Sequence, residues 1–373
     1  MSTEPTVTPS GEAETPEGRA PTPALDAPTH TAAGPTPELG PQAFLTALLT
    51  MIAILVVTEV FYRDTAVDLK LQKSTNYITA KRLEYETLGG DIVVTGDSRM
   101  YHAINPQVMQ DTLQTLKGKT YTTFDYGIPS GTTPIFMMVA HDAAIHKPPP
   151  KVFILGVTPA LFSCCDGVGV AGTQPGVRWS AVPLFLRAAW RTNTEDAGAS
   201  VFYGASHLLA FRTEISTAVH DLTLAAPITF HNRGYYSLGN RVPPAMQDQR
   251  ARGRAKAYAE LMDKSQGITL RPTPGRFLAE AIEDLKRAGV NVIVMGTPQA
   301  RQLDWYHDEK HTYFEYINEV KRVTAEHGVP FIDMNNPPGI VSADFMDGDH
   351  LSEPGATAFT KYVATEIVAG YLP

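Results

Sequence analysis

Two short polar segments lie near opposite ends of the foldable part of this chain. Gly96-Asp97-Ser98-Arg99 comes directly after the apolar run Ile92-Val93-Val94, and Asp347-Gly348-Asp349-His350 stands just ahead of the last helical pattern. Between them they hold the parts of a serine nucleophile. A hydroxyl attacks a carbonyl poorly at neutral pH unless a base takes its proton, and an imidazole does this best when a carboxylate fixes its tautomer. Ser98 can serve as the nucleophile, His350 as general base and then acid, and Asp347 as the group that orients the ring. Asp349 is a rival orienter, but adjacent side chains of an extended loop point apart, which favours Asp347. Asp97 is suited to tying down its turn by accepting backbone N–H groups. Arg99 suits either an anionic substrate group or an ion pair with a neighbouring acid.

For the two segments to meet, the elements between them must bring both to one edge of a fold. Short β-branched runs alternate with helical patterns: strands at 91–95, 121–126, 151–156, 291–295 and 330–333, helices from Asn105-Pro106, at 134–146, 276–288, 309–327 and 355–368. Such alternation predicts an α/β fold, a three-layer α/β/α arrangement around a mainly parallel sheet. Ligands of open parallel sheets bind where the strands end, so Ser98, Gly127, Gly156-Val157-Thr158 and Gly296-Thr297 should share a rim. Residues 91–373 form this domain, with an insertion or cap at about 160–270, where the periodicity fades.

The chain has 373 residues and a formal net charge of −8. Residues 1–42 are rich in Pro, Thr, Glu and Gly and poor in large apolar side chains, so they read as a disordered tail. Their acids, Glu4, Glu12, Glu14, Glu17, Asp26 and Glu38, face a single Arg19 and carry much of the charge. The remainder is near neutral, which argues against nucleic acid as a partner. Residues 43–62, AFLTALLTMIAILVVTEVFY, match the length of about 20 residues that a membrane-spanning helix needs, and Glu59 is their only charge. The long acidic flank before them and the lack of a small-residue cleavage site favour an uncleaved anchor. Residues 63–90 then read as a helical connector stopped by Gly89-Gly90. Arg63, Lys70, Lys73, Lys81 and Arg82 follow the span against Arg19 before it, a count that places the folded domain in the cytoplasm.

The Gly96-Asp97-Ser98 turn after the first strand and the Asp347-x-x-His350 segment before the final helix resemble the first and last sequence blocks of the SGNH (GDSL-like) hydrolase superfamily. The anchor, the Gly-Asp-Ser-Arg form, the Tyr101-His102-Ala103-Ile104-Asn105-Pro106 continuation and the Asp-His-Leu-Ser run at His350 resemble the envelope O-acylation branch. That branch includes the alginate O-acetylation proteins and the D-alanyl transfer protein of teichoic acid. The resemblance covers roughly residues 91–160 and 273–373. It implies Ser98 as nucleophile, His350 as base and Asp347 as its orienter. It also implies an oxyanion hole from the backbone N–H of Ser98, a glycine after the second strand (Gly127, with Gly131 the alternative) and a donor after the third. Where the family has Gly-x-Asn, this chain has Gly156-x-Thr158, so the Thr158 hydroxyl must replace an amide.

The function this resemblance implies is transfer or removal of an acyl group, acetyl by preference, on an envelope polysaccharide or glycoconjugate. Transfer would need an activated acyl donor outside the cytoplasm, hence a multi-span membrane-bound O-acyltransferase as partner, and it places the domain outside, against the charge count. A carbohydrate or lipid esterase with the same triad, and a catalytically silent scaffold that binds glycan or organises an acylation complex, are the alternatives. No metal or other cofactor is expected. Cys164 and Cys165 are adjacent and read as ordinary thiols. The pair His307 and His311 lacks a third ligand and the glutamate of a zinc-protease motif. Tyr235, Tyr236, Trp305, Tyr306, Tyr313 and Phe314 are more readily core than a sugar-binding surface.

Overall fold

Ile92, Val93, Val94 and Thr95 are all buried, which only a strand covered on both faces allows, and they form β1 (Ile92–Thr95) at the centre of a five-stranded sheet. The computed structural model describes residues 41–61, 77–129, 131–158, 272–299 and 312–373, with single positions between 161 and 253. Most of the proposed insertion lies outside the described residues, as do Cys164, Cys165, His307, His311, Tyr236, Trp305 and Tyr306 and the side chains of Tyr313 and Phe314. Tyr235 is buried. The other strands are β2 (Thr123–Asp125), β3 (Val152–Val157), β4 (Asn291–Gly296) and β5 (Phe331–Ile332), in the order β2-β1-β3-β4-β5 with every pair parallel. The order reverses between β1 and β3, which makes the crevice beyond their carboxyl ends the place for a ligand in a doubly wound sheet.

The period of two along the strands sorts their side chains into two layers. Val93, Phe153, Leu155 and Val294 pack with Met137 and Ala140 of α5 (Thr133–Ile145) and Leu278 and Ile282 of α6 (Pro272–Arg287). Ile92, Val94, Ile154 and Ile293 pack with Met109 and Leu113 of α4 (Pro106–Lys117) and Phe359 of α8 (Glu353–Tyr362). Helix α7 (Thr312–Glu326) joins the first layer through Tyr316 and Val320. Asn105 caps α4, its Oδ1 accepting the N–H of Gln107 at 3.0 Å and of Val108 at 3.3 Å, with Pro106 at the first helical position. Ser352 caps α8, which continues as a π-turn over Val363–Ile367 and a 3-10 turn over Val368–Tyr371.

The chain divides into two units, residues 1–53 and 54–373. Helix α1 (Pro41–Phe61, 21 residues) covers nearly all of the apolar run read as an anchor, and Leu45, Leu49, Ile54 and Val57 on it are exposed. Among the described residues no helix is long and apolar enough to cross a membrane, so the span itself belongs to the reading proposed below.

The described end of the connector is helix α2 (Tyr77–Leu88), and it is part of the packed layer rather than a stalk: Ile78 and Tyr85 join the core. Lys81 on α2 is fully buried. Its ammonium lies 2.8 Å from the Asp125 carbonyl oxygen, 3.6 Å from Asp125 Oδ1 and 4.0 Å from the centre of the Tyr101 ring. Burial pushes the Lys81 pKa down and that of Asp125 up, each opposed by the other's charge. Lys81→Met would leave Asp125 buried without its cation, and a loss of about 3–5 kcal/mol in urea unfolding at pH 8 is expected. Because a raised carboxylate pKa favours the protonated folded state as pH falls, the deficit should shrink on acidification. A deficit that is the same at pH 5 and pH 8 would contradict this.

Candidate active site

Ser98 is the first residue of a helical turn, α3 (Ser98–Tyr101), that springs directly from the end of β1. Asp97 caps the turn, its Oδ1 accepting the Arg99 N–H at 3.0 Å, which is the tethering role read from the sequence. Ser98 is half-buried, with Arg99, Met100 and Tyr101 buried behind it. At the first position of a helical turn the backbone N–H has no acceptor within the helix, so that of Ser98 is available to a ligand.

His350 comes from a tight loop pinned by the buried pair Phe345 and Leu351, which form an antiparallel bridge. Met346 donates its N–H to the His350 carbonyl at 2.7 Å, and Gly348 turns the chain at a φ of 143°, a conformation that L side chains rarely adopt. The loop faces the β1 turn. His350 Nε2 lies 2.8 Å from Ser98 Oγ, and Nδ1 lies 2.9 Å from Asp347 Oδ2 and 3.1 Å from Oδ1. The residues read as nucleophile, base and orienter are therefore brought together.

Nδ1 also lies 3.0 Å from Asp349 Oδ1, so the loop is not extended and the adjacent side chains of Asp349 and His350 do not point apart, a correction to the sequence reading. Asp347 Oδ1 accepts the N–H of Asp349 at 3.2 Å and of His350 at 3.0 Å, curling the segment so that both acids reach one ring nitrogen. Burial would by itself lower the His350 pKa; hydrogen bonds to Asp347 and Asp349 and the charge of both carboxylates outweigh it and raise it to about 9. His102, absent from the sequence-based site, stands beside the base with ring centres 5.6 Å apart, edge to face. Asp347, Asp349 and His350 bring ligand atoms within 4.8 Å of one another, but those atoms face each other, Ser98 and Arg99.

Of the two roles open to Arg99 the structure shows the ion pair, and two expected oxyanion donors are corrected. Arg99 is not presented to a substrate: it is buried, with Nη1 paired to Asp97 Oδ2 and Nε donating to Asp349 Oδ2 at 2.9 Å. Gly127 does lie after β2, but its N–H donates to Asp125 Oδ1 at 2.8 Å and so is not offered to an oxyanion. What requires glycine here is space, since a Cβ would sit 2.8 Å from Tyr101 Cα. The alternative, Gly131, donates its N–H to the Ile128 carbonyl at 2.8 Å. The Thr158 hydroxyl, fully buried, is directed at Asp97 Oδ2 over 3.4 Å rather than into the cleft. Of the expected donors, the Ser98 N–H alone is unengaged among the described residues.

The arrangement is that of a parallel α/β protein with a serine–histidine–carboxylate relay at the reversal point of its sheet. Such a relay can remove a proton from an alcohol and return it to a leaving group. No protein-family model matches the chain, and no curated protein matches it.

Proposed function

We propose that this chain is a membrane-anchored serine acyltransferase or esterase of SGNH type, acting on acyl groups, acetyl by preference, of an envelope polysaccharide or glycoconjugate. The observation that carries the reading is the 2.8 Å contact of Ser98 Oγ with His350 Nε2, with carboxylates on the other ring nitrogen. The exposed apolar side chains of α1 support residues 43–62 as an anchor, and the motifs at Ser98 and His350 support the SGNH assignment. In this scheme Ser98 Oγ attacks the acyl carbonyl while His350 takes its proton. The Ser98 N–H meets the developing oxyanion, and His350 then protonates the departing alkoxide. The acyl-serine is resolved by a sugar hydroxyl in transfer or by water in hydrolysis.

With the Ser98 N–H the single unengaged donor among the described residues, a slow hydrolase is favoured, because one missing oxyanion donor typically lowers the rate about 10²- to 10³-fold. Slow hydrolysis is the property a transferase needs if its acyl-serine is to await an acceptor, and an exported transferase requires a multi-span acyltransferase partner to load it. The test is turnover of 4-nitrophenyl acetate by the full chain in detergent, with and without an oligosaccharide acceptor. Acetylated acceptor supports transfer, release to water alone supports the esterase, and a native rate no higher than that of Ser98→Ala favours a silent scaffold.

A further inference from the structure

We propose that Asp349, gripped by Arg99, is a second orienting carboxylate for His350, and that Arg99 is the positioning residue linking the nucleophile turn to the histidine loop. This inference rests on the serine-nucleophile reading above. An imidazole has one proton to offer at Nδ1, and here two carboxylates compete for it. They are not equivalent. The side chain of Asp347 is 27% exposed and spends Oδ1 on two backbone N–H groups, so it shapes the loop and its charge is screened by water. The Asp349 side chain is fully buried, with Oδ1 at Nδ1 and Oδ2 receiving Arg99 Nε at 2.9 Å and Nη2 at 2.8 Å. A buried, charge-assisted contact of this kind holds a ring in place more firmly than a solvated one.

Arg99 is fixed from the other side. Asp97, the residue before the nucleophile, binds both its guanidinium and its backbone N–H, and Arg99, the residue after the nucleophile, reaches Asp349 across 250 positions of sequence. Displacement of either loop is thereby passed to the other. Among the described residues, those facing His350 include Ser98, Asp347, Asp349 and the His102 ring, with Arg99 and Asp97 behind Asp349. Their charges give the two residues opposite signs. Asp349 stabilises the imidazolium, whereas Arg99 draws on the same carboxylate and weakens its hold on the proton.

The experiment is the pH dependence of kcat/KM for 4-nitrophenyl acetate with the full chain in detergent, for Asp349→Asn and Arg99→Lys beside the native protein. Asp349→Asn should move the acid limb down by about one pH unit and lower the plateau about 10- to 100-fold. Arg99→Lys, which keeps a cation but loosens the grip, should move the limb up. Limbs that stay at the native position in both variants would overturn the proposal, since a purely structural role changes rate without moving the limb. Should Asp349→Asn fail to fold, the Arg99→Lys profile decides by the same criterion. Absence of Ser98-dependent turnover in the native protein would refute the enzyme reading instead. In that case the His350 ring is titrated by NMR in Ser98→Ala with and without Asp349→Asn. A lowered pKa supports the clamp and an unchanged one overturns it.

Discussion

Ser98→Ala is expected to lower kcat/KM for an acetyl ester by about 10⁴- to 10⁶-fold while leaving the fold intact. The hydroxyl contacts His350 Nε2 at 2.8 Å and sits at the start of a helical turn, where alanine is accommodated, so thermal unfolding should be nearly unchanged. His350→Ala should cost a similar factor, because an alcohol without a base and a base without an alcohol are equally unable to form the acyl-serine. The double variant should then be no slower than either single one, the signature of residues acting as one unit. Losses that multiply would mean that Ser98 and His350 act separately and that their 2.8 Å contact is incidental.

Activity and stability should run in opposite directions between about pH 6.5 and pH 9. With His350 raised to about 9, only about one molecule in a hundred carries a neutral ring at pH 7, and kcat/KM should climb roughly tenfold per pH unit before levelling near pH 9. The sign for stability is the reverse. A histidine whose folded pKa lies above its unfolded value binds more protons when folded, so its contribution is complete below about 6.5 and is lost as pH rises through about 9. From the size of the shift that contribution is on the order of 3 kcal/mol. The Nδ1 proton held by the carboxylates stays in place; it is the proton on Nε2, the nitrogen that faces Ser98, that must leave before Ser98 can attack. A pH–rate profile and a melting series from pH 6 to 9.5 check both limbs, and a flat rate profile across that range would contradict the assignment.

Much of the scaffold is legible in the sequence because its strands are buried on both faces and therefore appear as uninterrupted β-branched runs, as at Ile92–Thr95 and Val152–Val157. Their boundaries are less so. The second strand narrows to Thr123–Asp125 because Thr122 is bound by the Asp91 side chain, and the fifth narrows to the edge pair Phe331–Ile332. Helix α6 starts earlier than the apolar pattern, at Pro272, since proline is tolerated in a first turn. The strand order could not be read at all, because periodicity reports which face is buried and not which neighbour is paired.

In the site, Ser98, His350 and Asp347 are visible as residue types at the ends of elements. Asp349 is dismissed by an alternation rule that holds for extended chain and fails where Gly348 turns at a φ of 143°. Arg99 is read with an ion pair as one of two options and Lys81 only as part of a charge count; packing alone reveals which acids each is buried against. Gly127 was found by its position after a strand, but the direction of its N–H depends on Asp125, whose side chain is buried within the sheet edge.

The most direct measurement of the central claim is covalent capture: the purified chain treated with a fluorophosphonate, digested and mapped by mass spectrometry. A serine activated by His350 should carry the label at Ser98 in the native protein, at a rate that rises with pH and falls by orders of magnitude in His350→Ala. Labelling elsewhere, or at Ser98 with equal speed when the histidine is gone, would show that this hydroxyl is an ordinary alcohol and would contradict the account.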